Sequence, residues 1–509
     1  MIFPIVCALT KLFLASKYKI FINSFSNPRE EQKKTLQKIL KLIPGLESGI
    51  TIEQFQKTVP LQRYSEYLSS PYKVKPESIL FHETTSGSTS GKKAIPYTKE
   101  LLSSFSEMFS IWVYDILKHG PQFKTGKLYF SITPQFSAKE EASSNPAALK
   151  DDSDYIVGPL KYLFNYLSIC PSNLKNLQQP DNFFHILSLY LIREIRLEII
   201  SIWSPTFLIE IFRYIGLNKD AILRDLEANK VIREGITFKL PKISSSQLKI
   251  LKESNLSPDK LMPNLKFISC WGGAHAQTAL KKLAKLCPQA HIQEKGLLAT
   301  EAPLTLPLFQ EQKQVPLIRE VFFEFRDSSN TKATKLLHEL QQGHEYEVII
   351  SQAGGMLRYL LSDRVQVDGK MGSTPTFRFI RRANETSDLV GEKLTGLFVS
   401  SIFNRLDESE LLLLPVKPEE MRPYYLLLSP TDVDPETVEE ELMNNPHYRN
   451  AIKLNQLGSL KTLTVPNLTR VIADYKAKTY GQSLGDQKSE TLLIRETNGN
   501  LYEFLNNRD

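Results

Sequence analysis

Apolar positions at helical spacing open the chain. Residues 2–14 are almost all apolar, and between positions 28 and 43 the residues Gln32, Thr35, Leu36, Ile39, Leu40 and Ile43 share one helical face. A second stripe runs through Leu101, Leu102, Phe105, Met108, Phe109, Trp112, Val113 and Ile116, with Thr98 placed to cap it and Lys118, His119 and Gly120 to close it. Between helices the runs shorten to strand length: 78–85 around Ile79, Leu80 and Phe81, then 127–132, 196–201 and 265–271. Ser204 and Pro205 begin a helix holding Leu208, Ile211 and Ile215, and another runs through Leu280, Leu283 and Leu286. Strand alternating with helix predicts an α/β layer fold. Phe322, Phe323, Glu324 and Phe325, and again residues 346–350, predict a smaller antiparallel sheet that ends at Ser362 and Asp363. Further on, a helix through Leu397 and Phe398, strands at 411–416, 424–428 and around 460–465, and an acidic helix over 435–443 predict a small α/β domain. Its size, about 120 residues, is near the common one.

At 509 residues the chain predicts two or more domains. The formal charge of +7, from 63 basic and 56 acidic residues, is slight for this length, and no aromatic-basic cluster accompanies it, so no nucleic-acid partner is expected. Cys7, Cys170, Cys270 and Cys287 are scattered and the histidines show no ligand spacing, which predicts a reducing, cytoplasmic setting and no structural metal. Residues 2–14 lack the basic start and the Ala-x-Ala site of a signal peptide. No stretch reaches the ~20 apolar residues needed for a membrane span, so the opening segment reads as a helix that packs on the large domain or touches a membrane surface.

The chemistry concentrates where every residue from Thr84 to Gly91 is a small hydroxyl or glycine. Gly87 and Gly91 admit positive φ, the hydroxyls of Thr84, Thr85, Ser86, Ser88, Thr89 and Ser90 add donors to an anion nest, and Lys92 and Lys93 add charge. Its position, tight between a strand and a strong helix, favours a phosphate-wrapping loop over a disordered linker. It is not a Walker A loop, which has four residues between its glycines and a Ser or Thr after its lysine; here three separate Gly87 from Gly91, and Lys93 follows Lys92.

This loop resembles the ATP loop of the adenylate-forming superfamily of acyl-CoA synthetases and luciferases, and more closely that of the plant auxin-responsive family of acyl acid–amido synthetases and its bacterial relatives. The turn at Val59, Pro60 and Tyr64 is similar to that family's, and four later stretches extend the resemblance in the same order. Trp271, Gly272 and Gly273, following a strand, correspond to the border of the acyl and adenine pocket. Gly296, Leu297, Leu298, Ala299, Thr300 and Glu301 resemble the catalytic motif whose glutamate ligates Mg²⁺, a hard cation suited to carboxylate and phosphate oxygens. Leu357, Arg358, Tyr359, Ser362 and Asp363 match the pattern Tyr-Arg-Tyr-x-x-Gly-Asp with two departures, Leu357 for tyrosine and Ser362 for glycine. The resemblance makes Asp363 the acceptor of the ATP ribose hydroxyls and Arg382 a contact to ribose or phosphate. Asn384 stands in place of a hinge aspartate, and Glu392, Lys393 and Leu394 continue the hinge. Near the end, Gly481, Gln482, Gly485 and Lys488 resemble the frame that carries a catalytic lysine on a mobile cap.

What the resemblance implies is an ATP- and acid-binding domain over 1–383 and a cap over 384–509. Thr300, Glu301 and Lys488 would be catalytic, and Thr85 to Lys92, Trp271, Gly272, Gly273, Asp363 and Arg382 would hold ATP. With ATP and Mg²⁺ such an enzyme converts a small carboxylic acid to an acyl adenylate and passes the acyl group to an amine, an amino acid in the plant members. Two alternatives stay open: a thioester ligase acting on coenzyme A or a carrier protein, and an acyl or nucleotide binder that has lost turnover.

Overall fold

The computed structural model describes all residues except 1, 85–92, 131–158, 253–256, 273–276, 328–332, 383–385, 388, 391, 407–409, 419–420, 454–455, 481–489, 495–499 and 507–509. Its centre is a four-stranded, all-parallel sheet in the order Lys127–Phe130, Leu197–Ser201, Phe267–Cys270, His291–Glu294. Parallel pairing requires crossovers, and helices supply them: Pro180–Arg193 leads into the second strand, Pro205–Leu217 follows it, and Gln277–Leu286 joins the third to the fourth. This is the α/β alternation expected from the sequence.

The second body is a five-stranded antiparallel sheet, ordered Thr334–Leu336, Phe322–Asp327, Glu345–Ser351, Tyr359–Met371, Thr374–Arg382. It corrects one expectation. The sheet does not end at Ser362 and Asp363, because the strand that begins at Tyr359 runs on to Met371. Residues 361–363 face Val348 alone, since Leu360 pairs with Ile349 and Arg364 with Glu347. The irregularity that reads as a strand end is thus a bulge within a long strand, with Ser362 at φ +67°.

The helical expectations hold closely. Lys99–His119 forms with the Thr98 hydroxyl accepting from the Leu101 amide at 3.2 Å, and Gly120 is its C-cap. Ser204 occupies the N-cap of Pro205–Leu217, yet its hydroxyl meets Thr206 Oγ1 at 2.6 Å rather than a helix amide. The first helix is longer than its apolar run, extending over Ile2–Ser24. It packs on Lys99–His119 through Leu14 and Phe21, a 2.9 Å hydrogen bond from Tyr18 to Asp115, and Tyr18 against Tyr114 with ring centroids 4.5 Å apart. No helix among the described residues is long and apolar enough to cross a membrane.

Residues beyond 385 build a three-stranded sheet, Leu412–Val416 antiparallel to Tyr424–Ser429 and the latter parallel to Lys461–Thr464, with helices Gly396–Arg405, Pro435–Leu442 and Leu468–Tyr480 around it. Its lead-in is fixed by Glu392, fully buried, which accepts from the Leu389 and Val390 amides at 2.8 Å each and from the Tyr425 hydroxyl.

Candidate active site

The strands Ile79–Thr84 and Ala94–Thr98 pair antiparallel, with Thr84 opposite Ala94. The two ends of the Ser/Thr/Gly stretch are therefore held side by side, while Thr85, Ser86, Gly87, Ser88, Thr89, Ser90, Gly91 and Lys92 lie outside the described residues. Two tyrosines anchor the stem. Tyr64 takes the Ala94 amide on its hydroxyl at 2.7 Å, and Tyr97 donates to the Thr300 carbonyl at 2.7 Å. The turn at 59–64 that carries Tyr64 is itself tied down by Arg358. Its guanidinium donates to the Gln56 and Val59 carbonyls at 2.7 and 2.8 Å and grips both carboxylate oxygens of the buried Glu324 at 2.9 Å. Arg358, retained from the family pattern, serves as a girder here.

Thr300 and Glu301 form the two-residue turn between Leu298–Ala299 and Ala302–Pro303. The turn brings the buried Glu301 within 3.8 Å of Lys93, whose ammonium also donates to the Tyr359 hydroxyl at 2.9 Å. Lys93, Glu301 and Tyr359 come from three distant stretches, and they meet beside the stem of the loop. A carboxylate oxygen is the kind of ligand a hard cation takes. Among the described residues no group of three or more His, Cys, Asp or Glu is arranged as a metal cage. The single Glu301 carboxylate suits Mg²⁺, which keeps most of its coordination for phosphate oxygens and water.

On the far side, the strand Phe267–Cys270 runs into Trp271 and Gly272. The Trp271 amide donates to the Trp203 carbonyl at 2.7 Å, and its indole meets Phe379 edge-on with ring centroids 5.4 Å apart. A Cβ at Gly272 would stand 2.2 Å from the Glu294 side chain, so glycine leaves that exposed carboxylate its present place. Gly273 lies outside the described residues. Phe379 pairs with Val365, and two residues before Val365 the buried Asp363 pairs with Arg382. Trp271, at the carboxyl end of the parallel sheet, thus meets the edge strand of the second sheet at Phe379, three residues before Arg382, the backbone partner of Asp363; the carboxyl end of the strands is the usual place for a ligand in open α/β folds. Lys488 lies outside the described residues.

Two lysines of this region stand outside the site residues expected from the sequence. The expected ATP-binding residues include Lys92, whereas the described ammonium at Glu301 belongs to its neighbour Lys93, which the sequence marks only as added charge. Lys295 donates to Ser201 Oγ at 2.8 Å and stands 5.2 to 5.9 Å from the ring centroids of Trp203, Trp112 and Phe130. Its signal was available in part: a lysine directly after a strand that ends at the sheet's carboxyl edge.

Comparison with known proteins agrees with this architecture. A model described as the GH3 family N-terminal domain matches residues 17–292, and one described as the GH3 family central domain matches residues 314–382. An Arabidopsis thaliana protein named "Probable indole-3-acetic acid-amido synthetase GH3.1" is 33% identical over 90 residues, 18% of this chain, and in that match the chain spans only 13% of the relative's length. The 4-substituted benzoates-glutamate ligase GH3.12 of Arabidopsis thaliana is 21% identical over 404 residues, 71% of this chain and 68% of that protein. In fold, the chain matches a solved acyl acid amido synthetase in complex with 2,4-DB, with a TM-score of 0.80 over 97% of this chain and 96% of that one, at 14% identity.

Proposed function

Since the chain belongs to the GH3 family, we propose that it is an adenylate-forming ligase: it uses ATP and Mg²⁺ to turn a carboxylic acid into an acyl adenylate and transfers the acyl group to an amine, an amino acid by preference. The observation that carries this reading is the meeting of Lys93, Glu301 and Tyr359 beside the stem of the Ser/Thr/Gly loop. The names of the two Arabidopsis relatives, both ligases joining an acid to an amino group, support the same chemistry.

In the first half-reaction the acid's carboxylate attacks the α-phosphorus of ATP and pyrophosphate leaves; in the second an amine displaces AMP and loses a proton. Residues 85–92 would hold the phosphates, Asp363 would accept the ribose hydroxyls with Arg382 beside it, and Trp271, Gly272 and Gly273 would border the acyl and adenine pocket. Glu301 would ligate the magnesium ion that offsets phosphate charge, and Thr300, whose carbonyl Tyr97 fixes, would set the position of Glu301. Lys488 would reach the α-phosphate from the cap, helping only as charge develops there.

The same reading divides the chain into a substrate-binding part, 1–383, and a cap, 384–509. In its support, the buried members of three hydrophobic clusters end at Phe377, those of two further clusters begin at Leu394, and the central-domain match ends at residue 382. Among the described residues, side-chain ties between the parts include the polar pairs Arg213 with Asn467, Arg470 with Asp181 and Lys282 with Glu410, and one small apolar contact, Ala473 against the core of the larger part. Such an interface permits the cap to move.

The deciding experiment is acid-dependent exchange of labelled pyrophosphate into ATP over a panel of carboxylic acids, followed by amino acids or coenzyme A as acceptors. Magnesium-dependent exchange with some acid is expected, together with its loss in Glu301→Ala. Absence of exchange with every acid would favour a binder without turnover, and a coenzyme A thioester formed faster than any amide would reassign the acceptor.

A further inference from the structure

Most helices of this chain bury their apolar residues, but the first one also displays them. On the face of Ile2–Ser24 turned away from the core, Ile5, Leu9, Leu12, Phe13 and Ile20 are all exposed, Leu12 at 77% and Phe13 at 65%. Their spacing puts them on one stripe, with only Ser16 and Lys19 as polar interruptions before Ile20. The opposite face is already occupied, since Leu14, Phe21 and Tyr18 pack against Lys99–His119. The stripe is therefore not the helix's means of folding onto the domain. It is also not explained by the family resemblance, because the N-terminal family match begins at residue 17, after Ile5, Leu9, Leu12 and Phe13.

Charge indicates what covers it. The chain has no acidic residue before Glu30, while the helix holds Lys11, Lys17 and Lys19. Lys19 is exposed at one margin of the stripe and Lys17, on its other flank, is matched by Glu107, while Lys11 lies toward the occupied face. Beside the start of the helix, the Phe3 ring fills the space a Cβ on Gly126 would need, and the next residue, Lys127, lies 5.4 Å from the ring centroid of the exposed Tyr166. A symmetric contact with a second copy would set these lysines against each other with no carboxylate on the stripe to pair them. An anionic surface with an apolar interior is the complement: acyl chains accept the leucines and Phe13, headgroups accept the lysines, and tyrosine rings sit at the boundary.

We propose that the first helix docks this enzyme, lying flat, on the surface of a membrane containing anionic lipid. The proposal is independent of the reaction described above. It makes the protein peripheral, with its large domain held by Lys99–His119 against a bilayer-bound helix, and it places a ligase for carboxylic acids where amphiphilic acids accumulate.

The test is sedimentation of the full chain with vesicles of phosphatidylcholine alone and of phosphatidylcholine and phosphatidylserine in equal parts. The expected result is binding to the anionic vesicles that weakens with salt and is much poorer on the neutral ones. Lys19→Gln should weaken it by roughly fivefold. Leu9→Glu with Phe13→Glu should abolish it while the melting temperature stays unchanged, because both side chains point away from the core. If that variant melts early, Leu12→Ser serves in its place and should reduce binding. No binding to anionic vesicles, or binding unaffected by the apolar substitutions, overturns the proposal. So does a dimer in sedimentation velocity that Leu9→Glu with Phe13→Glu dissociates while vesicle binding persists, which would assign the stripe to a second copy.

Discussion

Lys93 and Tyr359, 266 residues apart in sequence, are joined by a 2.9 Å hydrogen bond from the ammonium to the phenol oxygen. The bond orients a cation that also faces Glu301, so the phenol sets where positive charge stands beside a carboxylate suited to magnesium.

Removing that cation should damage the first half-reaction. Lys93→Met is expected to lower acid-dependent pyrophosphate exchange by roughly 10²–10³-fold, the scale of losing one preorganised electrostatic group. Tyr359→Phe, which deletes only the hydrogen bond to a charged donor, should cost about 10- to 100-fold. Both should melt near the wild-type temperature, which separates a chemical loss from a structural one. Unchanged exchange in Lys93→Met would return this lysine to a purely structural place.

Asp363 should act on the nucleotide rather than the acid. Asp363→Asn preserves volume in the buried bulge but weakens acceptance of two hydroxyls, so the KM for ATP should rise by about tenfold while the KM for the acid changes little. Steady-state titration of each substrate decides it; a change confined to the acid would move Asp363 to the acyl side of the pocket.

Ser362 holds φ at +67°, a region that crowds any side chain. The left-handed conformation costs about 1–2 kcal/mol for a residue with a Cβ, and glycine gives back about 0.5–1 kcal/mol in chain freedom. Ser362→Gly should therefore stabilise the protein by roughly 0.5–1 kcal/mol, and Ser362→Val should destabilise it, as read by thermal unfolding. A loss of stability in the glycine variant would show that the serine is not strained.

Glu320 should make stability depend on pH. Burial pushes its carboxyl up to about 7, with Glu107 adding to the rise, while Ser104, Lys38 and Arg319 oppose it. A carboxyl whose folded pKa exceeds its unfolded value of 4.5 favours the folded state below that lower value and loses the contribution as pH rises through about 7. Glu320→Gln should flatten the melting temperature between those limits and raise it at pH 8. A wild-type profile that rises across the same window would refute the assignment.

Much of this was readable along the chain. The Thr98 cap, the Lys99–His119 stripe and the alternation that builds the parallel sheet all depend on spacing within one segment, so their signals are local. The bulge at Ser362 was misread as a strand end because a bulge and a terminus share the same interruption of alternation; only the pairing of Glu347 with Arg364 tells them apart. The substitution of serine for the usual glycine marked the right place, and the positive φ supplies the reason for glycine there. Lys93, Tyr359 and Glu301 could not be joined by inspection, since their meeting depends on a two-residue turn and a strand register set hundreds of residues away.

The pairing of Thr84 with Ala94 turns the stretch between them into a closed ring hung from a fastened stem. The entropy of closing such a ring grows only as the logarithm of its length, so one inserted residue costs of order 0.1 kcal/mol while moving the ring's crown by a bond or two. Length and foldability are thereby uncoupled at this spot. If these residues hold phosphate as proposed above, variation here would retune their reach over the nucleotide with almost no penalty to the body that carries them.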